Sequence, residues 1–259
     1  MSVSLRIAVA GTGRMGEAIE ACAHSRGHII IERFNRKNPV TEAALGCNPD
    51  VVIDFTQPEI VLSHMTKYCK TSTTAVIGTT GWDDKIEAVQ NLVRSHKATM
   101  LYSSNFSLGI QILLQALHAL GPLLDKLPEF DVAVHELHHT AKLDSPSGTA
   151  ISLAAQLVET LQRKHRWAPP STPYETSELE VVSTRLGHVF GQHRVMIDGP
   201  SDHIILEHTA KNRGGFALGA VRAAEWIQGR TGLLTLEDML ADWLAGSANK
   251  SLPIIDVNP

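Results

Sequence analysis

Residues 5–16 decide the fold of this 259-residue chain, and they read LRIAVAGTGRMG. The apolar run Leu5–Gly11 predicts a strand buried on both faces, as in a parallel sheet. Gly11, Gly13 and Gly16 form a G-x-G-x-x-G pattern that leads into a helix. Gly11 permits a tight turn, Gly13 lets a pyrophosphate approach the backbone, and Gly16 lets the helix pack closely on the strand. This order predicts a dinucleotide-binding unit, because the N-terminus of the helix attracts phosphate.

Short apolar strands and helices alternate through the rest of the first hundred residues. Such alternation indicates a parallel sheet that is covered on both faces. The chain is therefore predicted to begin with a Rossmann-type, doubly wound α/β domain, in which ligands bind at the carboxyl ends of the strands. The predicted helices are Met15–His24, Ile60–Lys70 and Lys85–Ser95, and the further strands are His28–Arg33, Asp50–Thr56, Thr73–Gly81 and Ala98–Asn105.

From about Leu108 the pattern changes to that of a mixed α+β domain. A stretch rich in Pro, Ser and Thr, Ala168–Glu178, predicts an exposed loop within it. Periodicity leaves open whether the closing helices return to the first domain. The predicted helices are Leu108–Leu120, Thr149–Lys164, Gly214–Gln228 and Leu236–Ala245, and the predicted strands are Glu129–Glu136, Glu180–Arg185, His193–Ile197 and Asp202–His208.

The composition is that of a globular protein with a substantial core. Hydrophobic residues make up 43% of the chain and charged residues 19%, which excludes disorder. The net charge of −4 lacks the basic excess of a nucleic-acid or membrane-surface binder, so neither partner is expected. The three cysteines have no CxxC spacing and predict reduced thiols. Without a signal-peptide pattern or a long apolar run, we expect a soluble cytoplasmic protein.

Polar residues at the ends of other predicted strands add to the candidate nucleotide site. Glu32 can accept hydrogen bonds from both ribose hydroxyls of NAD, and Arg33 can hold the 2′-phosphate of NADP. Having both residues predicts the use of NADH or NADPH, whereas a solvated charge pair is the alternative. The candidate cofactor-binding residues are Gly11, Thr12, Gly13, Arg14, Met15, Gly16, Glu32, Arg33, Gly78, Thr79, Thr80, Ser103, Ser104, Asn105 and Phe106.

Residues 135–139 read HELHH, which matches the H-E-x-x-H pattern of zinc proteases. That chemistry needs a helix, because only i, i+4 geometry brings His135 and His139 to one metal ion. Glu159 lies downstream as a possible third ligand. The alternation in Phe130–Val134 instead predicts a strand, so we expect no metal at this motif.

The longer segment 138–150, HHTAKLDSPSGTA, gathers groups that suit a small anionic substrate. Residues 147–149 form a Ser-Gly-Thr turn that opens a helix, where backbone N–H groups and a hydroxyl can receive a carboxylate. Lys142 adds positive charge, and we expect His138 or His139 to titrate near neutral pH, as a general acid requires. The segment predicts a site where a small carboxylate receives a hydride and then a proton. A capped helix beside a polar loop is the alternative.

The pattern E-L-H-H-x-x-K-x-D-S-P-S-G-T-A at residues 136–150 resembles the signature of the 4-hydroxy-tetrahydrodipicolinate reductase family, also called dihydrodipicolinate reductases. The resemblance spans nearly the whole chain. It includes GRMG at 13–16, Glu32-Arg33, DFT at 54–56 with Pro58, GTTG at 78–81, NFS at 105–107, GHVFGQH at 187–193, His208, Arg213 and GAVRAA at 219–224.

The resemblance implies an oxidoreductase of the diaminopimelate pathway of lysine biosynthesis. NADH or NADPH would deliver a hydride to C4 of an unsaturated cyclic imine dicarboxylate, after its hydroxyl has left as water, and C3 would then be protonated. By position, His138 matches the acid/base residue and Lys142 a proton donor. The implied substrate-binding residues are His139, Lys142, Ser147, Gly148 and Thr149.

The resemblance also implies domain roles and an assembly. Residues 1–107 and about 214–259 would bind the dinucleotide, while about 108–213 would bind substrate and form a homotetramer through their sheet. Three features depart from the family pattern: a glycine loop shorter by one residue, a short link between Arg33 and Asp50, and Trp82 where Phe is common. These departures leave open the preference between NADH and NADPH.

Two other functions fit the same residues. The chain could be an NAD(P)-dependent dehydrogenase of another small carboxylate or amino acid, or a catalytically silent nucleotide-binding sensor. His188 and His193 flank a Gly-Gln turn and could line the site, but a structural role is the favoured interpretation. Trp226 and Trp243 are interpreted as core residues. The histidines interpreted as ordinary helix or surface residues are His24, His28, His64, His96, His118 and His165.

Overall fold

The computed structural model describes residues 4–247. These residues divide into two compact units, one formed by residues 4–106 and 217–247, the other by Ser107–Phe216. In chain order the elements are β1 (Arg6–Ala10), α1 (Arg14–Ser25), β2 (Ile29–Phe34), β3 (Val51–Asp54), α2 (Pro58–Lys70), β4 (Ala75–Ile77), α3 (Ile86–His96), β5 (Thr99–Tyr102), α4 (Leu108–Asp125), β6 (Asp131–His138), α5 (Gly148–Thr160), β7 (Arg166–Ala168), β8 (Glu178–Arg185), β9 (Gln192–Asp198), β10 (His203–Thr209), α6 (Gly214–Trp226), β11 (Gly232–Thr235) and α7 (Leu236–Ser247).

The first unit contains a parallel sheet with the strand order β11-β5-β4-β3-β1-β2. β2 pairs with one side of β1 and β3 with the other, so the chain changes direction across the sheet at β1. Doubly wound sheets bind ligands at such a switch point. Val52 and Ile53 of β3 are fully buried, because helices cover both faces of a sheet of this kind. The predicted Rossmann-type architecture is confirmed.

The second unit contains a five-stranded mixed sheet with the order β10-β9-β6-β8-β7. The central strand β6 runs antiparallel to β9 and parallel to β8. Side chains alternate along β6 between a buried face and a half-buried face, as expected for a sheet covered on one side. Helices α4 and α5 contact each other and pack over the buried face. The buried residues of β6 are Val132, Val134, Glu136 and His138.

Two short strands, β7 and β11, are present in addition to the predicted ones. They contain three and four residues, too few for alternation to reveal them. β11 pairs with β5 and so extends the first unit's sheet by a strand from the end of the chain. The predicted helix Thr149–Lys164 ends earlier, at Thr160, because Leu161 adopts an extended backbone conformation.

Helix α4 is long and apolar enough to cross a membrane by length and composition alone. Leu113, Leu117 and Leu124 of this helix lie in the second unit's core, where that core also includes Val134 and Leu153. The packing of these side chains accounts for the apolar face of the helix.

Two side chains of the first unit lie in surroundings that the sequence did not predict. His28 is buried, and its Nδ1 accepts a hydrogen bond of 3.2 Å from the amide of Leu5 while its Nε2 lies 2.8 Å from Glu225 Oε1. Trp243 is 37% exposed, and the guanidinium carbon of Arg222 lies 5.3 Å from its ring centroid. The surface interpretation of His28 and the core interpretation of Trp243 are therefore wrong, because both depend on contacts distant in sequence.

Candidate active site

The glycine loop between β1 and α1 requires glycine at two of its three positions. Gly11 has a φ of +96°, and a Cβ there would lie 2.3 Å from the carbonyl oxygen of Phe55. A Cβ on Gly16 would lie 2.0 Å from the carbonyl oxygen of Gly11. A Cβ on Gly13 would meet nothing within 4 Å, and the neighbouring Thr12 is exposed. The loop fits a pyrophosphate, since its open segment lies at the N-terminus of α1.

Glu32 and Arg33 lie near the carboxyl end of β2 and are held in place by neighbouring side chains. Glu32 Oε1 accepts hydrogen bonds of 2.8 Å from the Arg33 amide and 3.1 Å from Asn38 Nδ2. The Arg33 guanidinium pairs with Glu20 of α1, with Nη2 2.7 Å from Oε2. A 2′-phosphate would compete with Glu20 for this guanidinium.

Asp54, at the end of β3, is fully buried and joins the strand-end loops. Its Oδ1 accepts hydrogen bonds from the amide and hydroxyl of Thr56, at 3.1 and 2.6 Å, and from the Thr79 hydroxyl at 3.4 Å. Its Oδ2 lies 2.9 Å from His64 Nδ1 and accepts a 2.8 Å bond from the Tyr68 hydroxyl. Burial, followed by the charge of Asp54, raises the pKa of Tyr68.

We name these five residues, Asp54, Thr56, His64, Tyr68 and Thr79, the Asp54 cluster. The sequence interpretation singled out Thr79 but treated His64 as an ordinary residue, which is wrong. A carboxylate ending the otherwise apolar strand VVID was the available signal, because a buried charge needs partners.

Aromatic rings support the remaining candidate cofactor residues of the first unit. A Cβ on Gly78 would lie 2.1 Å from the Phe55 ring, so glycine permits this contact. The Phe55 and Phe106 ring centroids are 5.5 Å apart. Phe106 is 1% exposed, which leaves its ring packed in the protein interior. Ser103 is also buried, and its hydroxyl accepts a 3.2 Å bond from the amide of Asn105, whereas the candidate residues Arg14, Thr80 and Ser104 are exposed.

Trp82, the departure from the family pattern, supports the turn that it follows. Its ring lies 4.3 Å from that of Tyr102, and its Nε1 donates a 2.7 Å hydrogen bond to the carbonyl of Thr79. The indole is 2% exposed. The Trp82 side chain therefore supports this turn from within the core of the first unit.

The first four residues of the H-E-x-x-H motif, His135 to His138, lie on β6 and not on a helix, and His139 follows the end of the strand. Glu136 and His138 face the buried side of the sheet, while His135 faces the other side, where its Nε2 lies 3.0 Å from the Thr184 hydroxyl. Because strand residues alternate between faces, His135 and Glu136 diverge. The zinc-protease hypothesis is therefore wrong, because it requires a helix and this segment is a strand.

Glu136 is fully buried at the centre of a second polar cluster. Its Oε1 accepts a 3.0 Å hydrogen bond from the Ser147 amide and bonds of 3.3 Å from both terminal nitrogens of Arg185. Its Oε2 lies 3.4 Å from His138 Nδ1 and 3.7 Å from His193 Nε2. We name these five residues, Glu136, His138, Ser147, Arg185 and His193, the Glu136 cluster.

Three members of this cluster also satisfy the spacing of a metal-ligand set. One ligand atom from each of Glu136, His138 and His193 lies within 4.8 Å of the others. His193 lies beside the other two residues because the pairing of β9 with β6 places it opposite Glu136. This set differs from the H-E-x-x-H ligands considered above, and the sequence did not reveal it.

The electrostatics of the Glu136 cluster keep the carboxylate charged and the nearby imidazole neutral. Burial raises the pKa of Glu136, but the nearby His193 ring and the hydrogen bond from Ser147 outweigh it and hold that pKa well below its usual range. Burial lowers the pKa of His138 to about 4, opposed by Glu136 and assisted by His193 and Lys142. Without a ligand, the pKa of His138 therefore lies below the neutral range that a general acid requires.

Residues 147–149 form the predicted turn at the start of α5. The Ser147 hydroxyl accepts a 3.2 Å bond from the Ala150 amide and so caps the helix. Gly148 is exposed, Thr149 is half-buried, and the helix N-terminus at these residues favours an anion. Lys142 Nζ lies 2.8 Å from Asp144 Oδ1, so its charge is paired within the same loop.

With a parallel sheet of the Rossmann type and a second unit that carries a buried imidazole and a lysine, the chain is a nicotinamide-nucleotide-dependent oxidoreductase. Family models described as the N-terminus and C-terminus of dihydrodipicolinate reductase match residues 5–106 and 109–240. The chain belongs to the dihydrodipicolinate reductase family. The resemblance carried by residues 136–150 is thus confirmed.

Two relatives agree with this assignment, and one solved structure shares the fold. The 4-hydroxy-tetrahydrodipicolinate reductase of Christiangramia forsetii is 36% identical over 239 residues, which cover 92% of this chain and 98% of the relative. That of Rickettsia bellii is 35% identical over 231 residues, or 88% and 90% of the two chains. The dipicolinate-bound dihydrodipicolinate reductase of Paenisporosarcina sp. TG-14 shares the fold, with a TM-score of 0.75 at 21% identity, over 90% of this chain and 98% of that one.

Proposed function

We propose that this chain reduces 4-hydroxy-tetrahydrodipicolinate to tetrahydrodipicolinate with NADH or NADPH, in the diaminopimelate pathway of lysine biosynthesis. The observation that carries the proposal is the Glu136 cluster. Glu136 contacts both the buried His138 and the amide of Ser147 at the turn, and the charge of Lys142 lowers the pKa of His138. Family membership and curated relatives with this activity support it.

The substrate's two carboxylates match the cationic and N–H groups of the second unit. One carboxylate would bind at the turn of Ser147, Gly148 and Thr149, where the start of α5 favours negative charge. The other would be held by Lys142 and His139, since an ammonium forms a strong charge-assisted hydrogen bond with a carboxylate. Lys142 would exchange its 2.8 Å pairing with Asp144 for the substrate.

The chemistry requires one hydride and one proton. The nicotinamide supplies the hydride when bound. The substrate loses its C4 hydroxyl together with a proton from C3 as water, which forms the C3–C4 double bond. When C4 receives the hydride, the electron pair of that double bond shifts through the conjugated imine to leave an enamine anion, and protonation at C3 restores the imine. His138, with Lys142 as a proton donor, then protonates C3. The residues' task is to hold the ring and to deliver this proton.

His138 acquires its proton with the help of the substrate. Its pKa of about 4 leaves the ring neutral at pH 7 in the ligand-free protein. A dicarboxylate placed beside the ring raises that pKa, because opposite charge favours the imidazolium. Proton uptake therefore accompanies substrate binding.

The first unit would bind the nucleotide through the glycine loop, at the N-terminus of α1. Glu32 would receive the ribose hydroxyls of NADH, and Arg33 would receive the 2′-phosphate of NADPH in competition with Glu20. The turns at Gly78–Thr80 and Ser103–Phe106 would line the nicotinamide end. Their position after β4 and β5 supports this, because ligands lie at carboxyl ends of parallel strands.

We assign binding of the dinucleotide to residues 1–107 and about 214–259. Residues from about 108 to 213 would bind the substrate and form the contacts of a homotetramer. The assembly would be cytoplasmic. The half-buried face of β6, with Ala133, His135 and Leu137, lies opposite the helices, and Ile204 and Ile205 of β10 are exposed. Exposed apolar residues on a sheet suit burial against another copy. Sedimentation of the purified protein tests the tetramer, and a monomer would contradict it.

The decisive assay couples this chain to the upstream synthase. Pyruvate and aspartate semialdehyde supply the unstable substrate, and the loss of absorbance of NADH and of NADPH is followed in parallel. We expect oxidation that requires both proteins. Nucleotide binding without oxidation would reject the proposed reaction, and oxidation with a simple amino or oxo acid would favour the alternative dehydrogenase.

A further inference from the structure

We propose that Glu136 is the positioning residue for His138. Its Oε2 receives the Nδ1–H of the imidazole, which fixes the tautomer and leaves Nε2 as the nitrogen that carries the transferable proton. Its Oε1 holds the Ser147 amide, so one carboxylate links the proton donor to the substrate-binding turn. This inference rests on the proposed function, in which His138 protonates the substrate.

The two oxygens of Glu136 have distinct surroundings. Oε1 accepts the 3.0 Å bond from Ser147 and two 3.3 Å bonds from Arg185, which set the position of the carboxylate. Oε2 and His138 Nδ1 are both buried and otherwise lack a hydrogen-bond partner among the described residues. They lie 3.4 Å apart. An unpaired buried donor and acceptor are costly, and catalytic hydrogen bonds are often long before the substrate binds.

The opposite edge of the His138 ring supports this orientation. A Cβ on Gly191 would lie 3.1 Å from His138 Nε2, so a side chain at that position would crowd this nitrogen. With glycine there, Nε2 keeps free space while Nδ1 faces the carboxylate. The ring therefore has one nitrogen directed at Glu136 and the other unobstructed by residue 191.

Glu136 is also the anion that opposes loss of the proton from His138. Burial lowers the pKa of His138 most. The charges of His193 on β9, Lys142 on the loop after β6 and Arg185 on β8 lower it further. The charge of Glu136 raises it. His208 on β10 adjoins this group, with its ring 6.4 Å from that of His193.

The first unit provides a matched control for a merely structural carboxylate. Glu225 also contacts one histidine and one arginine: Oε1 lies 2.8 Å from His28 Nε2 and accepts a 2.6 Å bond from Arg26. Neither partner belongs to the proposed proton-transfer machinery. Replacing Glu225 therefore reports the structural cost of removing such a carboxylate.

The experiment compares Glu136→Gln, Glu136→Asp and Glu225→Gln with the wild type. The glutamine oxygen can still accept from Ser147, but its NH₂ group would face Nδ1 and donate to it. We expect kcat to fall about 10²-fold in Glu136→Gln, because an Nδ1 that accepts a hydrogen bond from the amide cannot also carry the second proton of the imidazolium, so the general acid does not form. The KM for substrate and the Kd for NADH should change less than about threefold, and Glu136→Asp should recover part of kcat because it keeps the charge.

Two further readouts separate positioning from stability. Long-range ¹H–¹⁵N spectra should show the Nδ1–H tautomer of His138 in the wild type and in Glu225→Gln, and Nε2–H in Glu136→Gln. The basic limb of the kcat–pH profile should move to lower pH in Glu136→Gln alone, because loss of the anion lowers the pKa of His138.

The outcomes are distinguishable from those that test the proposed function. A wild-type ring that carries Nε2–H, or unchanged kcat in Glu136→Gln, overturns the inference. An equal loss of kcat in Glu225→Gln would do the same. The tautomer is read from the protein without substrate, so an inactive wild type with Nδ1–H would reject the proposed reaction while leaving this hydrogen bond established.

Discussion

Asp54 and Glu136 are both fully buried carboxylates on a central strand, yet their surroundings differ. Asp54 accepts hydrogen bonds from Thr56, Thr79 and Tyr68 and pairs with His64, which satisfies both of its oxygens. Glu136 is satisfied at Oε1, but at Oε2 it meets histidine nitrogens only at 3.4 and 3.7 Å. A satisfied carboxylate stabilises a scaffold, whereas an incompletely satisfied one is retained where chemistry needs it.

The difference extends to how each cluster responds to ligands. The Asp54 cluster fixes the backbone after β3 and β4 through contacts already made. The Glu136 cluster contains a neutral imidazole whose protonation would change when an anion arrives. We therefore expect the Asp54 cluster to control stability and the Glu136 cluster to control turnover.

The largest expected effect comes from removing the imidazole of the Glu136 cluster. His138→Gln should lower kcat by about 10²- to 10⁴-fold, the usual contribution of a general acid. The Kd for NADH should stay within about twofold, because the nucleotide is assigned to the first unit. Steady-state kinetics and fluorescence titration measure the two quantities. The exposed His118→Gln serves as control, and near-normal turnover in His138→Gln would contradict the role.

A smaller effect is expected from the cation beside that cluster. Lys142→Ala should raise the KM for substrate by about 10- to 100-fold, since a hydrogen bond to a charged group contributes about 1.5–3 kcal/mol. It should also lower kcat, given its role as a proton donor. The exposed Lys126→Ala is the control in the same assay. An unchanged KM would show that Lys142 stays with Asp144.

Asp54→Asn tests the other side of the comparison. The amide group replaces an acceptor with a donor, so we expect a loss of about 1–3 kcal/mol of unfolding free energy. Denaturant unfolding measures this loss. Asp50→Asn is the matched control, because Asp50 is an exposed carboxylate with a 2.7 Å bond from the Arg6 amide. Equal losses in both variants would contradict the assignment of stability to the Asp54 cluster.

The smallest effect concerns stability against pH. The folded pKa of His138, about 4, lies below its ordinary value of 6.5, so the unfolded chain binds more protons between these values. Stability should therefore fall as pH decreases from 6.5 to 4. Thermal melting should show a shallower fall in His138→Gln than in the wild type or His118→Gln. Parallel curves would show that burial does not depress the pKa of His138.

The periodicity of the sequence was sufficient for strands β1 to β5 of the first unit and for the strand nature of the H-E-x-x-H segment, but not for β11. The same alternation places Glu136 and His138, two residues apart, on one face, so their proximity could be predicted. The proximity of Arg185 and His193 to Glu136 could not be predicted, because only the pairing of β6 with β8 and β9 brings them close. His64 and Asp54 are likewise joined by packing of α2 on the sheet, which local periodicity does not specify.

The pairing of β11 with β5 has a consequence for the order in which the chain is made. Gly232 pairs with Thr99, so 133 residues must be synthesised after β5 before its outer edge is covered. Throughout that interval a growing chain on the ribosome would carry an unpaired strand edge, the kind of surface that promotes aggregation. Nascent chains that end before Gly232 should therefore depend on chaperones more than complete chains do.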